Sequence, residues 1–160
     1  MATQSLAGGV NNPVAVAVDA QNVYWTDYDG VHSVPRQGGS PSRIIAEAGG
    51  ETFTSVAVLG TRVYAVSTSG NVETVLAAGG AVELLMTGLQ TMWADVAVDD
   101  SGVYWTSRDQ GLVRTVPLGG GSATMLAQMQ DLPWGITLDS KSIYWTEDSA
   151  TGAVMRLAKP

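Results

Sequence analysis

Hydrophobic residues in this chain fall in short runs, separated by turns rich in Asp, Asn and Gly. An apolar run at residues 14–18 is followed by a turn, and residues 23–26 bring the chain back. Further β-rich runs follow at 31–35 and 42–46. No stretch carries the 3.6-residue stripe of an amphipathic helix. The pattern therefore predicts a small antiparallel sheet of four strands.

The same pattern recurs with a period of forty residues. One tyrosine marks the second strand of each copy: Tyr24, Tyr64, Tyr104 and Tyr144. Three of the copies also carry an aspartate before that strand, Asp19, Asp99 and Asp139. Four strands in about forty residues is the size of one propeller blade. Four copies fill the chain, so the sequence predicts an all-β, four-bladed propeller domain over 1–160.

The phase of the repeats places the blade boundaries. The first three blades are expected at 13–52, 53–92 and 93–132, and residues 133–160 supply three strands of the last blade. Residues 1–12 hold a segment, Thr3 to Gly8, that aligns with the fourth strands of other copies. We expect this segment to be the outer strand that closes the last blade.

The first copy contains Tyr24-Trp25-Thr26-Asp27 after Ala17-Val18-Asp19, and the fourth contains Tyr144-Trp145-Thr146. These motifs resemble the YWTD propeller repeats of lipoprotein-receptor type and the NHL-type repeats of bacterial propellers. The fourth copy, with Trp134 before its first strand, is most similar to the bacterial branch. The second copy departs from the motif with Ala65 and Val66. The resemblance implies a propeller fold but no particular ligand, because one fold hosts many functions.

The resemblance also implies rings of six to eight blades, whereas this chain has four. Strand exchange within one chain would close a four-bladed ring, and exchange between two chains would close an eight-bladed ring. An open half-ring would expose two apolar blade faces and an unpaired edge. We therefore expect a homodimer that forms one eight-bladed ring.

Charge and composition exclude some classes of binding partner. The net charge is −7 and the pI is about 4.4, which argues against a nucleic-acid ligand because phosphate binding needs clustered Lys and Arg. No stretch approaches the length of a membrane span, and the first residues do not have the pattern of a signal peptide. The sequence assigns no compartment.

Catalytic chemistry has little support in the sequence. His32 is the single histidine and there is no cysteine, so we predict no catalytic residue, no metal site and no cofactor. Some similar bacterial propellers are metal-dependent lyases that open cyclic antibiotics with His and Glu residues. A metal-dependent lyase or hydrolase of this streptogramin-lyase type is therefore one alternative, although the histidine cluster is missing.

The loops at the upper face carry the best binding candidates. This face is formed by the loops before each first strand and after each second strand. Seven aromatic or acidic residues are predicted ligand contacts: Asp27, Asp29, Trp93, Asp109, Trp134, Glu147 and Asp148. Such a rim suits a protein or cationic peptide, a sugar or Ca²⁺. Our leading interpretation is a non-catalytic binding scaffold, and the alternative is a lectin-like sugar binder that uses Trp93 and Trp134.

Two other sets of residues are expected to be structural. Trp25, Trp105 and Trp145 lie in the middle of predicted strands, where we expect them to pack between blades. Asp19, Asp99 and Asp139 begin turns, where an aspartate side chain accepts hydrogen bonds from nearby backbone N–H groups.

Overall fold

A computed structural model describes residues 2–46, 50–87 and 93–160. Four antiparallel sheets contain the strands of those residues. The first blade has β1 (Ala15–Val18), β2 (Asn22–Asp27), β3 (Gly30–Pro35) and β4 (Ser42–Ala46). The second has β5 (Phe53–Leu59), β6 (Arg62–Ser67), β7 (Val72–Leu76) and β8 (Glu83–Met86). The third has β9 (Val96–Asp99), β10 (Gly102–Ser107), β11 (Leu112–Val116) and β12 (Thr124–Ala127). The last has β13 (Pro133–Leu138), β14 (Ser142–Glu147) and β15 (Ala153–Ala158).

This arrangement confirms the predicted all-β fold with four blades. Within those residues, the helical structure is one 3₁₀ turn, Arg108–Gln110, after the second strand of the third blade. Residues 88–92, which include the predicted boundary at 92, and Met1, which begins the predicted segment 1–12, lie outside the described residues.

In three of the four blades, an aspartate before the second strand organises the hairpin between the first two strands. Asp19 Oδ1 accepts hydrogen bonds from the backbone N–H groups of Gln21 and Asn22, both at 2.7 Å. Its Oδ2 accepts the hydroxyl of Tyr24 at 2.7 Å, and Asp139 makes the same set of bonds in the last blade. Burial and the bond to Asp19 raise the pKa of Tyr24 to about 12. The predicted structural role of these aspartates is confirmed.

Successive blades pack face to face through a repeated junction. We call the face toward the preceding blade the leading face and the face toward the next blade the trailing face. On the trailing faces, the first three blades contribute a tyrosine and a valine each: Tyr24, Val31, Tyr64, Val72, Tyr104 and Val113. The next leading faces contribute a branched residue and a central Ala or Trp: Val56, Ala65, Val96, Trp105, Ile136 and Trp145.

The three repeat tryptophans are buried, and two of them, Trp105 and Trp145, pack between blades as predicted. Trp105 is 1% exposed and Trp145 is 4% exposed, and each packs in the junction with the preceding blade. Trp25 is also buried, on the leading face of the first blade. These side chains belong to the apolar interior, where aromatic residues contribute most through the area they remove from water.

The leading face of the first blade is open. Val16 is 70% exposed, whereas Val56, Val96 and Ile136 at the same repeat position are 6%, 5% and 8% exposed. Although β1 is apolar throughout, it is therefore not buried on both faces. The physical reason is that no preceding blade covers it within the single chain.

The trailing face of the last blade is open as well. Val154 is 79% exposed, whereas Val31, Val72 and Val113 at the equivalent position are fully buried. Tyr144 and Thr146 on the same face are also more exposed than their counterparts in other blades. The two ends of the arc thus do not bury each other, and each leaves an apolar surface uncovered.

The predicted outer strand before the first blade is not a strand in the single chain. Residues 2–14 form no ladder, and β13, β14 and β15 make a sheet of three strands. Instead, Leu6 and Ala7 line a shallow cavity of about 320 Å³ on the leading face of the first blade, beside Val16, Trp25 and Val34. The segment therefore does not complete the last blade of its own chain.

Among the residues that the structure describes, no helix has the length and apolar character needed to cross a membrane.

Candidate functional site

The loops of the predicted upper face come together at one end of the blades. In every blade, the residue that directly follows the second strand donates a backbone hydrogen bond to the segment leading into the first strand. The four pairs are Tyr28 to Asn11, Thr68 to Thr52, Arg108 to Trp93 and Asp148 to Leu132, at 2.8–3.1 Å. The loops are thereby held at fixed positions relative to the sheets.

The upper face contains a cavity of about 190 Å³. Trp93 and Trp134 lie at its mouth with ring centroids 5.9 Å apart and planes tilted by 38°. These side chains are 40% and 45% exposed, so each keeps one part packed and another in water. The start of β1, at Val14 and Ala15, forms another part of the wall. The structure therefore brings together the two predicted tryptophans in one apolar recess.

Arg108 adds a positive charge beside this pair. Its guanidinium carbon lies 5.2 Å from the ring centroid of Trp134, within cation–π range. Its Nη2 also donates to Asp148 Oδ2 at 2.8 Å, an ion pair between neighbouring blades. Arg108 thus connects the predicted contact Asp148 to the aromatic pair and limits the orientations open to Trp134.

Asp95 lines the cavity and links three blades. Its Oδ1 accepts hydrogen bonds from the Ser55 hydroxyl at 2.6 Å and from the Val96 N–H at 3.0 Å. Its Oδ2 accepts the Ile136 N–H at 2.8 Å. These three hydrogen bonds connect the first strands of the last three blades near the recess.

Asp27 lies inside the first blade instead of on the exposed rim. It is 2% exposed and accepts hydrogen bonds from Trp25 Nε1 at 3.2 Å and from the Asp29 N–H at 2.9 Å. His32 Nε2 lies 2.9 Å from it, and the His32 ring stacks on Trp25 at 5.2 Å. Burial opposes ionisation, but these bonds and His32 together hold the pKa of Asp27 below its usual value. The expected rim position of Asp27 is therefore corrected.

The other predicted acidic contacts lie on separate loops. Asp29 is exposed and accepts a bond from Asn11 Nδ2 at 3.3 Å, and Glu147 accepts the Asp131 N–H at 3.1 Å. Asp109 is exposed in the 3₁₀ turn. None of Asp29, Asp109 and Glu147 is among the described residues that line the cavity. Within the described part of the chain, no three His, Asp or Glu side chains are grouped to hold a metal ion.

Arg108 and Asp95 were not among the predicted contacts, although the sequence contains a signal for both. Arg108 and Asp148 are forty residues apart, and so are Ser55 and Asp95. In a repeat of forty residues, this spacing places two side chains at the same height on adjacent blades. A polar residue and its complement at that offset therefore predict a bond between blades.

Comparisons with known proteins identify the fold of the chain but not its family. No protein-family model matches the chain, and no curated protein matches it. Among solved structures, the computationally designed Ika4 protein is similar over the full length of both chains, with 16% identity and a TM-score of 0.81. A chain of a nidogen–laminin complex is 18% identical with a TM-score of 0.64, and covers 91% of this chain and 75% of its own.

The computationally designed Ika8 protein is also similar, with 16% identity and a TM-score of 0.70. The match covers 89% of this chain but only 45% of Ika8, so this chain spans less than half of that one. The fold is that of a β-propeller with four blades. At these identities the likeness establishes the fold alone.

Proposed function

We propose that this chain is a non-catalytic propeller scaffold that closes into an eight-bladed ring with a second copy and binds a peptide or protein at its upper face. The observation that carries the assembly is the pair of open blade faces at the two ends of the arc. Val16 at one end and Val154 at the other are exposed, although every counterpart inside the chain is buried.

The internal junctions supply the template for closure. In each one, a tyrosine and a valine of a trailing face meet the branched residues of the next leading face. The open trailing face still offers Tyr144 and Val154, and the open leading face offers Val16 and Val23. A second copy can therefore repeat the same contact at each end, and two such junctions related by a twofold axis close the ring.

The exposure of the two ends favours two chains over one. A four-bladed ring would need Val16 and Val154 of one chain to cover each other, yet both are exposed in the single chain. An uncovered apolar face of this kind on a soluble protein usually marks an interaction surface. Closure with a second copy would cover both faces.

The upper-face recess supports the binding role. Trp93 and Trp134 expose aromatic surface, and Asp95 adds a carboxylate to the wall of the recess. Aromatic faces attract cations and apolar side chains, so the recess suits a peptide that carries Lys or Arg next to a hydrophobic residue. The chain's single histidine is already engaged by Asp27 and Trp25, which supports a role without catalysis.

The half-exposed tryptophan pair also favours a second candidate, a lectin-like sugar binder, because sugar rings stack on aromatic faces through their C–H groups. Titration of the intrinsic tryptophan fluorescence separates the two candidates. A set of Lys- and Arg-containing peptides and a set of oligosaccharides are titrated in parallel. Saturation with the peptides alone supports our proposal, saturation with the sugars alone supports the lectin, and no response to either contradicts a binding recess.

Sedimentation velocity tests the assembly. The wild type is expected to sediment as two chains, and Val16→Asp as one chain, because it places a charge in the junction. Met129→Asp is the matched control, since Met129 is 90% exposed and lies in a loop. A variant Val16→Asp that still sediments as two chains contradicts the proposed junction.

A further inference from the structure

We propose that residues 4–7 of one copy form the fourth strand of the last blade in the second copy, antiparallel to β15. This inference rests on the two-chain ring proposed above and identifies the segment that links the two chains. The inference is that the two chains exchange a strand. The two-chain ring could also form through contact between blade faces alone, without this exchange.

The acceptor is the outer edge of β15. The first three sheets each have a fourth strand, β4, β8 or β12, but the last sheet ends at β15. Every second residue of β15 is exposed, because these side chains lie on the open trailing face of the last blade. An unpaired edge presents backbone N–H and C=O groups that can add a further strand.

The donor segment packs against the first blade, in the position of a preceding outer strand. It is therefore not paired with the last blade of its own chain. Leu6 and Ala7 lie on the leading face of the first blade, beside Trp25. In the third junction, Leu126 and Ala127 of β12 pack against the cluster that contains Trp145. The pair Leu6-Ala7 precedes Leu126-Ala127 by three periods of forty residues. Its side chains thus sit where an outer strand of a preceding blade would place them.

A contact at a glycine also places this N-terminal segment beside the first blade. Gly38 and Gly120 are equivalent, because each donates its N–H to the proline three residues earlier, at 2.8 and 2.9 Å. A Cβ on Gly120 would lie 3.4 Å from the Cα of Leu85, in the fourth strand of the preceding blade. A Cβ on Gly38 would lie 3.7 Å from Gln4 Nε2. The side chain of Gln4 therefore reaches the same turn of the first blade that the preceding outer strand contacts in the third blade.

In the ring proposed above, the blade that precedes the first blade comes from the other copy. In the ring, the last blade of the second copy packs against the leading face on which residues 4–7 already lie. Its β15 then runs beside this segment, and backbone hydrogen bonds can form between the two. Each copy donates one strand and receives one, so the exchange is symmetric.

The pairing of β11 with β12 predicts the register. In that pair Val113 faces Ala127, Arg114 faces Met125 and Thr115 faces Thr124. Val113 and Val154 are equivalent, because both pair with the threonine of the second strand. Transferred to the exchange, three pairs are predicted: Ala7 with Val154, Ser5 with Met155 and Gln4 with Arg156.

Cysteine cross-linking tests this register directly, because the chain contains no cysteine. The full chain is made with Ser5→Cys and Met155→Cys, which are directly opposed and thus close enough for a disulfide. A control combines Ser5→Cys with Ser140→Cys, which lies in an exposed turn of the same blade. After mild oxidation, non-reducing electrophoresis and thiol titration are combined with light scattering.

The expected result is a covalent species of two chains for the Ser5–Met155 pair and at least tenfold less of it for the control. A disulfide within one chain would overturn exchange between copies, and a one-chain mass by light scattering would overturn the ring with it. Free thiols in a protein that still has the mass of two chains would overturn the strand exchange and leave the ring intact. A control that cross-links equally would overturn the register.

Discussion

Val16 and Val56 occupy the same position in consecutive blades, yet Val16 is 70% exposed and Val56 is 6% exposed. Both side chains lie on the leading face of their first strand. Val56 packs in the junction between the first and second blades, and nothing equivalent precedes Val16 in the chain. The difference in exposure between these two valines therefore measures the side-chain surface that a neighbouring blade would cover.

This pair predicts a dependence of stability on protein concentration. Val56→Ala should lower the free energy of unfolding by about 2 kcal/mol at every concentration, because two methyl groups leave a buried site. Val16→Ala should have a similar effect only at concentrations where two chains associate, and almost none where the chain is monomeric. Urea unfolding across a hundredfold range of concentration makes the comparison. Equal effects of both variants in dilute protein would contradict the open face.

Trp105 predicts a large structural effect that is separate from binding. It is 1% exposed in the second junction, so Trp105→Ala should cost about 3–5 kcal/mol of folding stability. Trp134→Ala is the matched control, because Trp134 is 45% exposed and should change the unfolding midpoint far less. Chemical denaturation of both variants gives the comparison. An unchanged midpoint for Trp105→Ala would mean that this residue serves a site and not the core.

The fold was largely predictable because each blade repeats the same local rules. The strands, the aspartate turns and the burial of Trp105 all followed from the forty-residue period. The exposure of Val16 could not be predicted from its strand, since its sequence resembles that of β5 and β9. Burial of a blade face depends on the neighbouring blade, and that is a property of the assembly.

The candidate site was predicted in part. Trp93 and Trp134 do meet, because loops of adjacent blades share one end of the propeller. Asp27 is instead turned inward by the indole of Trp25 and by His32. A carboxylate two residues after a buried tryptophan can accept a hydrogen bond from the indole N–H. The sequence alone does not show whether such a carboxylate makes this bond or lies exposed on the rim.

If the recess binds the ligand, substitutions in it should weaken binding without unfolding the protein. Changing Trp93 and Trp134 together to alanine should reduce peptide affinity at least tenfold, because both stacking surfaces are removed. The circular dichroism spectrum should remain that of an all-β protein. Calorimetric titration of wild type and double variant makes the measurement, with Met129→Ala as an exposed control. Undiminished affinity in the double variant would place the binding surface elsewhere on the propeller.

Asp19 predicts a loss of stability in acid. Burial raises its pKa, but hydrogen bonds from Asn22, Tyr24 and Gln21 outweigh burial and hold the pKa below the ordinary value of 3.8. A lowered pKa means that the carboxylate stabilises the fold above that value, and that this contribution is lost as the pH falls through the folded pKa.

Asp19→Asn removes the charge and keeps the shape. The variant should therefore be less stable than wild type at neutral pH, and the difference should shrink in acid well below pH 3.8, as the wild-type carboxyl takes up a proton. Urea unfolding at both pH values gives the two differences. The same difference in stability at both values would show that the charge of Asp19 does not contribute.

Static light scattering across a dilution series tests the two-chain ring most directly. The chain has a mass of 16.6 kDa, and the ring predicts twice that mass at high concentration. Dilution should lower the mass toward one chain in a single step without larger species, because a closed ring of two copies leaves no open face. A mass of one chain at every concentration would contradict the ring, and so would a mass that keeps rising beyond two chains.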